Sequence, residues 1–376
     1  MTQMPPARIG MALEEVETPA LILDLDALER NLRRMAEAVR EAGTPVKLRP
    51  HAKMHKSAAL AHLQIAQGAV GVCCQKVGEA EAMVHGGVKN VLVSNQIVGD
   101  AKLARLAALA REAEVAVCAD DPYQVERYSA AASGFGVELP VLVEVDVGAR
   151  RCGVAPGRPV AELARRIEKA PGLRFAGLQA YQGSAQHKRT PEERREAIQG
   201  AVAAVRESLE ALAKAGLDCA WVTGGGTGTF RHERDSGVYT ELQCGSYLFM
   251  DADYGRNLDE RGQPVSEFEH ALFVYATVMS RPVPERAVVD AGLKAYTAES
   301  GLPIVHGMPD VEVVRVSDEH GTLHLKNPAR KMKLGDKLLL IPGHCDPTVN
   351  LHDWYVGVRK GRVEALWPID ARGAIL

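Results

Sequence analysis

Between residues 26 and 256 the chain repeats one pattern: an apolar run of strand length, then, in most cases, an amphipathic segment with helical period. The strand-length runs fall at 46–50, 71–75, 90–95, 114–119, 141–147, 174–181, 219–223 and 242–249. Helical periods fall near 56–67, 76–86, 100–112, 121–133, 157–170 and 191–215. Alternation of this kind makes parallel strands joined by right-handed crossovers. Eight such strands over roughly 230 residues fit a (β/α)8 TIM-type barrel. The alternative, a doubly wound open sheet, gathers its polar residues at one switch point. Here they end many strands: His51 and Lys53, Gln75, Asn95 and Gln96, Asp146, Tyr181 and Gln182, and the glycines of 224–228. That spread favours the barrel, whose sites form at the strand C-termini.

Upstream, TPALILDLD at 18–26 reads as a short strand. Asp26 is then placed to cap a helix over 27–41, with Leu28, Leu32, Met35 and Val39 on one stripe. Beyond about residue 256 the helical period fades and short runs appear: ALFVYATVMS, RAVVDAG, VEVVRVS, GTLHL, KLLLIPG, WYVGVRKG and VEALWPI. Their spacing and turn residues predict a small antiparallel β domain. The expected division is a barrel over 26–256 and a β domain made from 1–25 and 257–376. A net charge of −3 gives no basic field for nucleic acid or an anionic membrane. The apolar runs are too short to span a bilayer, and the opening MTQMPPARIG lacks a signal peptide's apolar stretch, so a cytoplasmic enzyme is expected. Seven scattered cysteines with no CxxC pair read as small core residues, not as disulfides or a zinc site.

Five stretches carry the chemistry. In VKLRPHAKMHKS (46–57), Lys47, Arg49, His51 and Lys53 alternate with Val46, Leu48, Pro50 and Ala52, which puts the basic set on one face of an extended segment. A solvated edge strand explains this equally well in isolation, and Pro50 points to an edge. In a central strand, Pro50 should lie where the strand ends or bulges. WVTGGGTGTF (221–230) runs an apolar strand end into four glycines and three threonines, a cradle whose backbone N–H groups and hydroxyls suit a phosphate. A flexible turn is the plain alternative. VLVEVDVGARRCGV (141–154) follows a strong strand with Arg150 and Arg151, suited to orient an anion or to form surface ion pairs. GLQAYQGSAQH (177–187) ends a strand on Tyr181, an aromatic able to stack on a planar ring, and places His187 on the next loop as the best candidate for a general base. In LLLIPGHCDPTVNLHD (338–353), His344 and Asp346 are two apart and share a face if extended, a donor pair suited to Mn, Zn, Co or Mg.

Together, TPALILDLDALERN, the lysine at the first strand, VEVDVGARRCG and GGGTGT resemble the fold-type III pyridoxal phosphate enzymes, which share the alanine racemase fold. RPHAKMHKS, CCQKVGEAE, GLQAYQGS, VTGGGTGT, SDEHG and PGHCDPTVNLHD narrow the resemblance to the D-threonine aldolase, D-3-hydroxyaspartate aldolase and D-serine dehydratase branch. His-x-Asp at 344 and 346 resembles the aldolases, where the dehydratases carry His-x-Cys.

The resemblance implies that Lys53 holds pyridoxal phosphate as a Schiff base. The loop containing Thr223, Gly225, Gly226 and Thr227 would bind the phosphate, with Tyr254 as a further contact. Tyr181 would stack on the ring and Arg151 would lie near its phenolic oxygen. His344 and Asp346 would bind a divalent metal, Mn2+ first, with Mg2+, Co2+ or Zn2+ as alternatives. The N-terminal strand would join the C-terminal β domain, and the enzyme would be a homodimer with its site near the partner's β domain. The racemases' second acid/base tyrosine has no clear match in VDAGLKAYTAES, which argues against racemization. The expected reaction is cleavage of D-β-hydroxy-α-amino acids to glycine and an aldehyde, with His187 as base. A dehydratase on the same scaffold, or a non-catalytic pyridoxal phosphate-binding protein, is the alternative.

Overall fold

The computed structural model describes residues 4–376. Its first regular strand, β1 (Ala20–Asp24), leads into helix α1 (Leu25–Arg40). The cap of α1 is Asp24, whose carboxylate accepts from the Ala27 N–H, and not Asp26, which falls inside the first turn. Six β/α units follow: β2 (Lys47–Leu48) with α2 (Ala58–Ala66), β3 (Val72–Cys74) with α3 (Val77–His85), β4 (Asn90–Gln96) with α4 (Asp100–Leu109), β5 (Glu114–Ala119) with α5 (Pro122–Phe135), β6 (Leu139–Glu144) with α6 (Arg158–Lys169), and β7 (Leu173–Gln179) with α7 (Pro191–Lys214). β8 (Val222–Gly224), the short helix α8 (Phe230–Asp235) and β9 (Glu241–Leu242) complete the set.

These eight strands, β2 to β9, are all parallel, in the order β2-β9-β8-β7-β6-β5-β4-β3. Backbone bonds from Val70 to Leu48, from Cys73 to Pro50 and from Ala52 to Cys73 join the two ends. The sheet is therefore curled on itself as the expected barrel. Pro50 lies just past the regular part of β2. Its carbonyl accepts from Cys73, but its ring nitrogen has no proton to donate. The run 242–249 also departs from expectation. It is strand only at its start, because after Gln243 bonds to Gly224 the chain bends into a 3-10 turn at Ser246–Leu248.

Inside the barrel a small apolar layer of Cys73, Leu92, Ala116, Cys118 and Leu142 is flanked by polar side chains, while a larger apolar cluster lies between strands and helices. Arg49 fills the lower interior: its Nε donates to Glu241 at 2.9 Å and its guanidinium lies 5.1 Å from the Trp221 ring. The cysteines are free, and Cys73, Cys74, Cys118, Cys244 and Cys345 are buried.

The second sheet contains β10 (Leu272–Val283), β11 (Arg286–Val289), β12 (Ile304–Val305), β13 (Val311–Val316), β14 (Gly321–Leu325), β15 (Lys337–Ile341), β16 (Trp354–Arg359) and β17 (Arg362–Pro368). β10 pairs with both β15 and β11, which closes six of these strands into a small antiparallel barrel. β1 crosses over to this sheet, antiparallel to β10 and parallel to β16. Helix α9 (Cys345–Val349) follows β15 and faces the first barrel. No helix among the described residues is long and apolar enough to cross a membrane.

Candidate active site

A cavity of about 100 Å³ opens at the C-terminal ends of the barrel strands, against the segment that follows β15. It gathers Lys53, Arg151, Tyr181, His187, Gly226, Thr227, Tyr254, His344 and Asp346, side chains drawn from residues nearly 300 positions apart. Thr223 and Gly225 are not part of the lining. Thr223 is fully buried and its hydroxyl donates to Glu241 at 2.9 Å, so it belongs to the polar interior below the cavity. Gly225 shapes the loop: its φ of +80° is a left-handed conformation that a side chain would strain.

Lys53 sits in a turn that closes just past β2, where Lys56 N bonds back to Ala52 O at 2.7 Å. Its Nζ lies 3.3 Å from Asp346 Oδ2. The nearby Asp346 carboxylate raises the lysine's pKa, against the opposing effect of burial. Burial alone would raise Asp346, but Lys53, His344 and His51 outweigh it and hold the carboxyl well below the usual range. The rival lysine, Lys56, is buried and paired with Glu79 at 2.5 Å, away from the cavity. Of the other basic residues of this stretch, His51 sits on the cavity floor with Nε2 3.1 Å from the Ser94 hydroxyl. Arg49, which the alternation puts on the same face as Lys53, is instead committed to Glu241 lower in the barrel.

Arg151 leans over Tyr181, its guanidinium carbon 5.7 Å from the ring centre, and approaches Glu144 at 3.7 Å. His187 follows Tyr181 on a 3-10 turn, half-exposed, its Nδ1 2.6 Å from Asp253 Oδ2. Its ring lies 5.8 Å from that of Tyr254. His344 and Asp346 do converge, though not as neighbours on one strand face. β15 ends at Ile341, and extended His344 precedes the turn of α9 that carries Asp346. His344 Nε2 is 3.6 Å from Asp346 Oδ1, and His344 Nδ1 is 2.7 Å from Glu299 Oε1. Burial opposes a charged imidazole here, but Asp346, Asp251 and Glu299 prevail and push His344 up to about 9.

The residues fit both groups that the sequence implies. On the glycine–threonine loop, a Cβ at Gly226 would lie 2.5 Å from the Gln186 side chain, so only glycine lets the backbone sit this close to its support. Gln186 Oε1 accepts from Gly228 N at 2.9 Å, and its Nε2 donates to Thr229 Oγ1 at 2.7 Å, which fixes the loop from behind. Gly226 and Thr227 face the cavity that holds Lys53. For a cation, Asp346 Oδ1 is buried without a hydrogen-bond partner beside an imidazole nitrogen whose ring is oriented by a carboxylate, an arrangement suited to a metal ligand. No group of three or more metal-ligating side chains occurs among the described residues, so a cation here would have these two side chains as its protein donors.

Several functional side chains escaped sequence reasoning. Asp253 and Glu299 each buttress a site histidine from far along the chain. Asp251 accepts from both Tyr254 N and Cys345 N, which ties the barrel rim to α9. Nothing in local spacing marks any of the three.

Comparison with known proteins places the two parts separately. Residues 23–253 match the alanine racemase N-terminal domain, and residues 271–358 match a putative serine dehydratase domain. The chain is 51% identical to 3-hydroxy-D-aspartate aldolase of Paracoccus denitrificans (strain Pd 1222), over 98% of this chain and 95% of that one. It is 49% identical to D-threonine aldolase of Arthrobacter sp, over 98% and 96%. The crystal structure of D-threonine aldolase from Filomicrobium marinum superposes with a TM-score of 0.96 at 50% identity, covering the whole of both chains.

Proposed function

Because the chain belongs to the family that joins an alanine racemase N-terminal domain to a serine dehydratase domain, we propose that it is a carbon–carbon lyase dependent on pyridoxal phosphate and a divalent metal. It cleaves D-β-hydroxy-α-amino acids to glycine and an aldehyde. The observation that carries this reading is the meeting of Lys53, His187 and the His344–Asp346 pair in one cavity. Lys53 would offer the amine for the cofactor and Gly226 and Thr227 would hold its phosphate, with Tyr254 as a further contact; Tyr181 and Arg151 would serve its ring. Bound there, pyridoxal phosphate supplies the electron sink that breaking a Cα–Cβ bond requires. His344 and Asp346 would hold the cation, whose charge lowers the pKa of a nearby hydroxyl. His187 takes the β-hydroxyl proton through Nε2, the nitrogen that Asp253 leaves free.

Mn2+ as the resident cation, a homodimer and a cytoplasmic location belong to the same proposal. Metal analysis, analytical ultracentrifugation and cell fractionation check them. The reaction is tested by incubating the holoenzyme with D-threonine, D-allothreonine, D-phenylserine and D-3-hydroxyaspartate, with Mn2+ or with a chelator. The expected products are glycine and the matching aldehyde, with Mn2+ required. Ammonia and a keto acid would instead make the protein a dehydratase, and binding of the cofactor without turnover would make it a carrier.

A further inference from the structure

We propose that Asp253 is a positioning residue that fixes His187 with its proton on Nδ1, so that Nε2 faces the substrate unprotonated. The inference rests on the reading of His187 as the base. The histidine is half-exposed and sits on a short 3-10 turn. Asp253 supplies the rigidity. Its side chain is only 8% exposed, and its two oxygens have separate tasks. Oδ2 meets His187 Nδ1 at 2.6 Å, and Oδ1 accepts from Arg189 Nη2 at 2.5 Å. Arg189 is itself held, its Nη1 donating to the Asp253 carbonyl and to Asn257 Oδ1, each at 2.8 Å. Arg256 adds a second positive charge 3.6 Å from Oδ1.

An ionised carboxylate only accepts hydrogen bonds. The Arg189 and His187 contacts keep Asp253 in that form, below the usual carboxylate range and against the effect of burial. His187 Nδ1 must then be the donor, and the neutral ring carries its lone pair on Nε2. The backbone extends the effect. Asp253 N donates to Gly343 O at 3.2 Å and Ala252 N to Pro342 O at 3.0 Å, so the residue that orients the base is bonded to the segment leading into His344. One residue thus sets the base relative to the metal pair.

Asp253→Asn separates tautomer control from packing. Arg189 can only donate, so it holds the new amide oxygen and turns the NH2 toward His187. Nδ1 must then accept, which moves the ring proton to Nε2 and removes the base. In the holoenzyme with Mn2+ and D-threonine, kcat should fall about a hundredfold or more, with KM and the cofactor's visible band nearly unchanged. In [15N]histidine NMR, with the His187 signals assigned by their loss in His187→Phe, the wild type should show a protonated Nδ1 and a bare Nε2. Asp253→Asn should show the reverse. A wild-type His187 with its proton on Nε2 overturns the proposal whatever the variant does. So does an Asp253→Asn enzyme with normal kcat, or a slowed one whose tautomer has not changed. If His187→Phe itself turns over normally, the base reading falls first. If His187→Phe is inactive while Asp253→Asn is not, only the positioning role falls.

Discussion

Glu233 offers a sharp test of the packing behind the glycine–threonine loop. It lies in α8 with no exposure to solvent. Its Oε1 accepts from the Thr229 hydroxyl at 2.8 Å, and its Oε2 has no hydrogen-bond partner. Burial pushes its pKa from the ordinary 4.5 up to about 7, with the Thr229 bond only partly opposing. Folding therefore takes up a proton between these values. The stability tied to the neutral carboxyl is fully present below about pH 4.5 and is lost as pH rises through about 7. A rise of that size amounts to about 3 kcal/mol once both states are ionised. Glu233→Gln keeps the shape and cannot ionise. Its unpartnered NH2 costs about 1–3 kcal/mol, a penalty that does not change with pH. At pH 5 the variant should equal or trail the wild type. By pH 9 the difference should have moved about 3 kcal/mol in its favour. At roughly 2.1 cal/mol/K of unfolding entropy per residue, a chain of this length should show a relative Tm change of about 4 °C. Urea unfolding of the apo-protein across pH 5 to 9 measures the effect directly. Parallel stability curves for the two proteins would show that Glu233 keeps its charge without penalty and would refute the burial argument.

Lys53→Ala should abolish the visible absorbance of bound pyridoxal phosphate, while Lys56→Ala should keep it, because Lys56 is occupied with Glu79; a band that survives Lys53→Ala reassigns the amine. Glu299→Gln should weaken Mn2+ binding by about tenfold to a hundredfold, as loss of a ligand's orienting carboxylate does, read by calorimetric titration; an unchanged affinity means His344 needs no such partner.

The alternation of apolar runs and helical periods made the barrel legible, because strand and helix leave different spacings and a parallel sheet requires both in turn. Glu114–Ala119 matches its expected span residue for residue, since it is a central strand bounded by plain turn signals. The errors sit where tertiary geometry overrides local pattern. The apolar run from 242 to 249 looks like a strand, yet only its first residue is one. The rest packs as a turn into the cluster under the cavity, where Tyr247, Leu248 and Phe249 are buried without a ladder. His344 and Asp346 were legible as a pair, but their convergence comes from an extended residue meeting the first turn of α9. The two-residue period groups Arg49 with Lys53 as one extended segment, but β2 ends at Leu48 and Lys53 sits in the turn beyond it. What the period could not give was depth: Arg49 is spent on Glu241 in the barrel interior, while His51 and Lys53 reach the cavity.

The same limit explains why the reactive side chains were visible and their supports were not. Lys53, Tyr181 and His187 lie in the segments that follow strand ends, and those segments can be located along a sequence. Asp253 reaches His187 across 66 positions and Glu299 reaches His344 across 45, through contacts made only when the curled sheet and the β domain are both in place. Histidines that must hold one tautomer need partners of this kind, because an unsupported ring exchanges its proton between two nitrogens and turns freely. His187 and His344 are each braced on Nδ1 by a carboxylate, which leaves Nε2 without that partner. On the proposed function, the free nitrogen of His187 would take a proton and that of His344 would take a metal. One local device would thus serve two chemistries, separated by what lies in front: Asp346 Oδ1 before His344, and open cavity before His187.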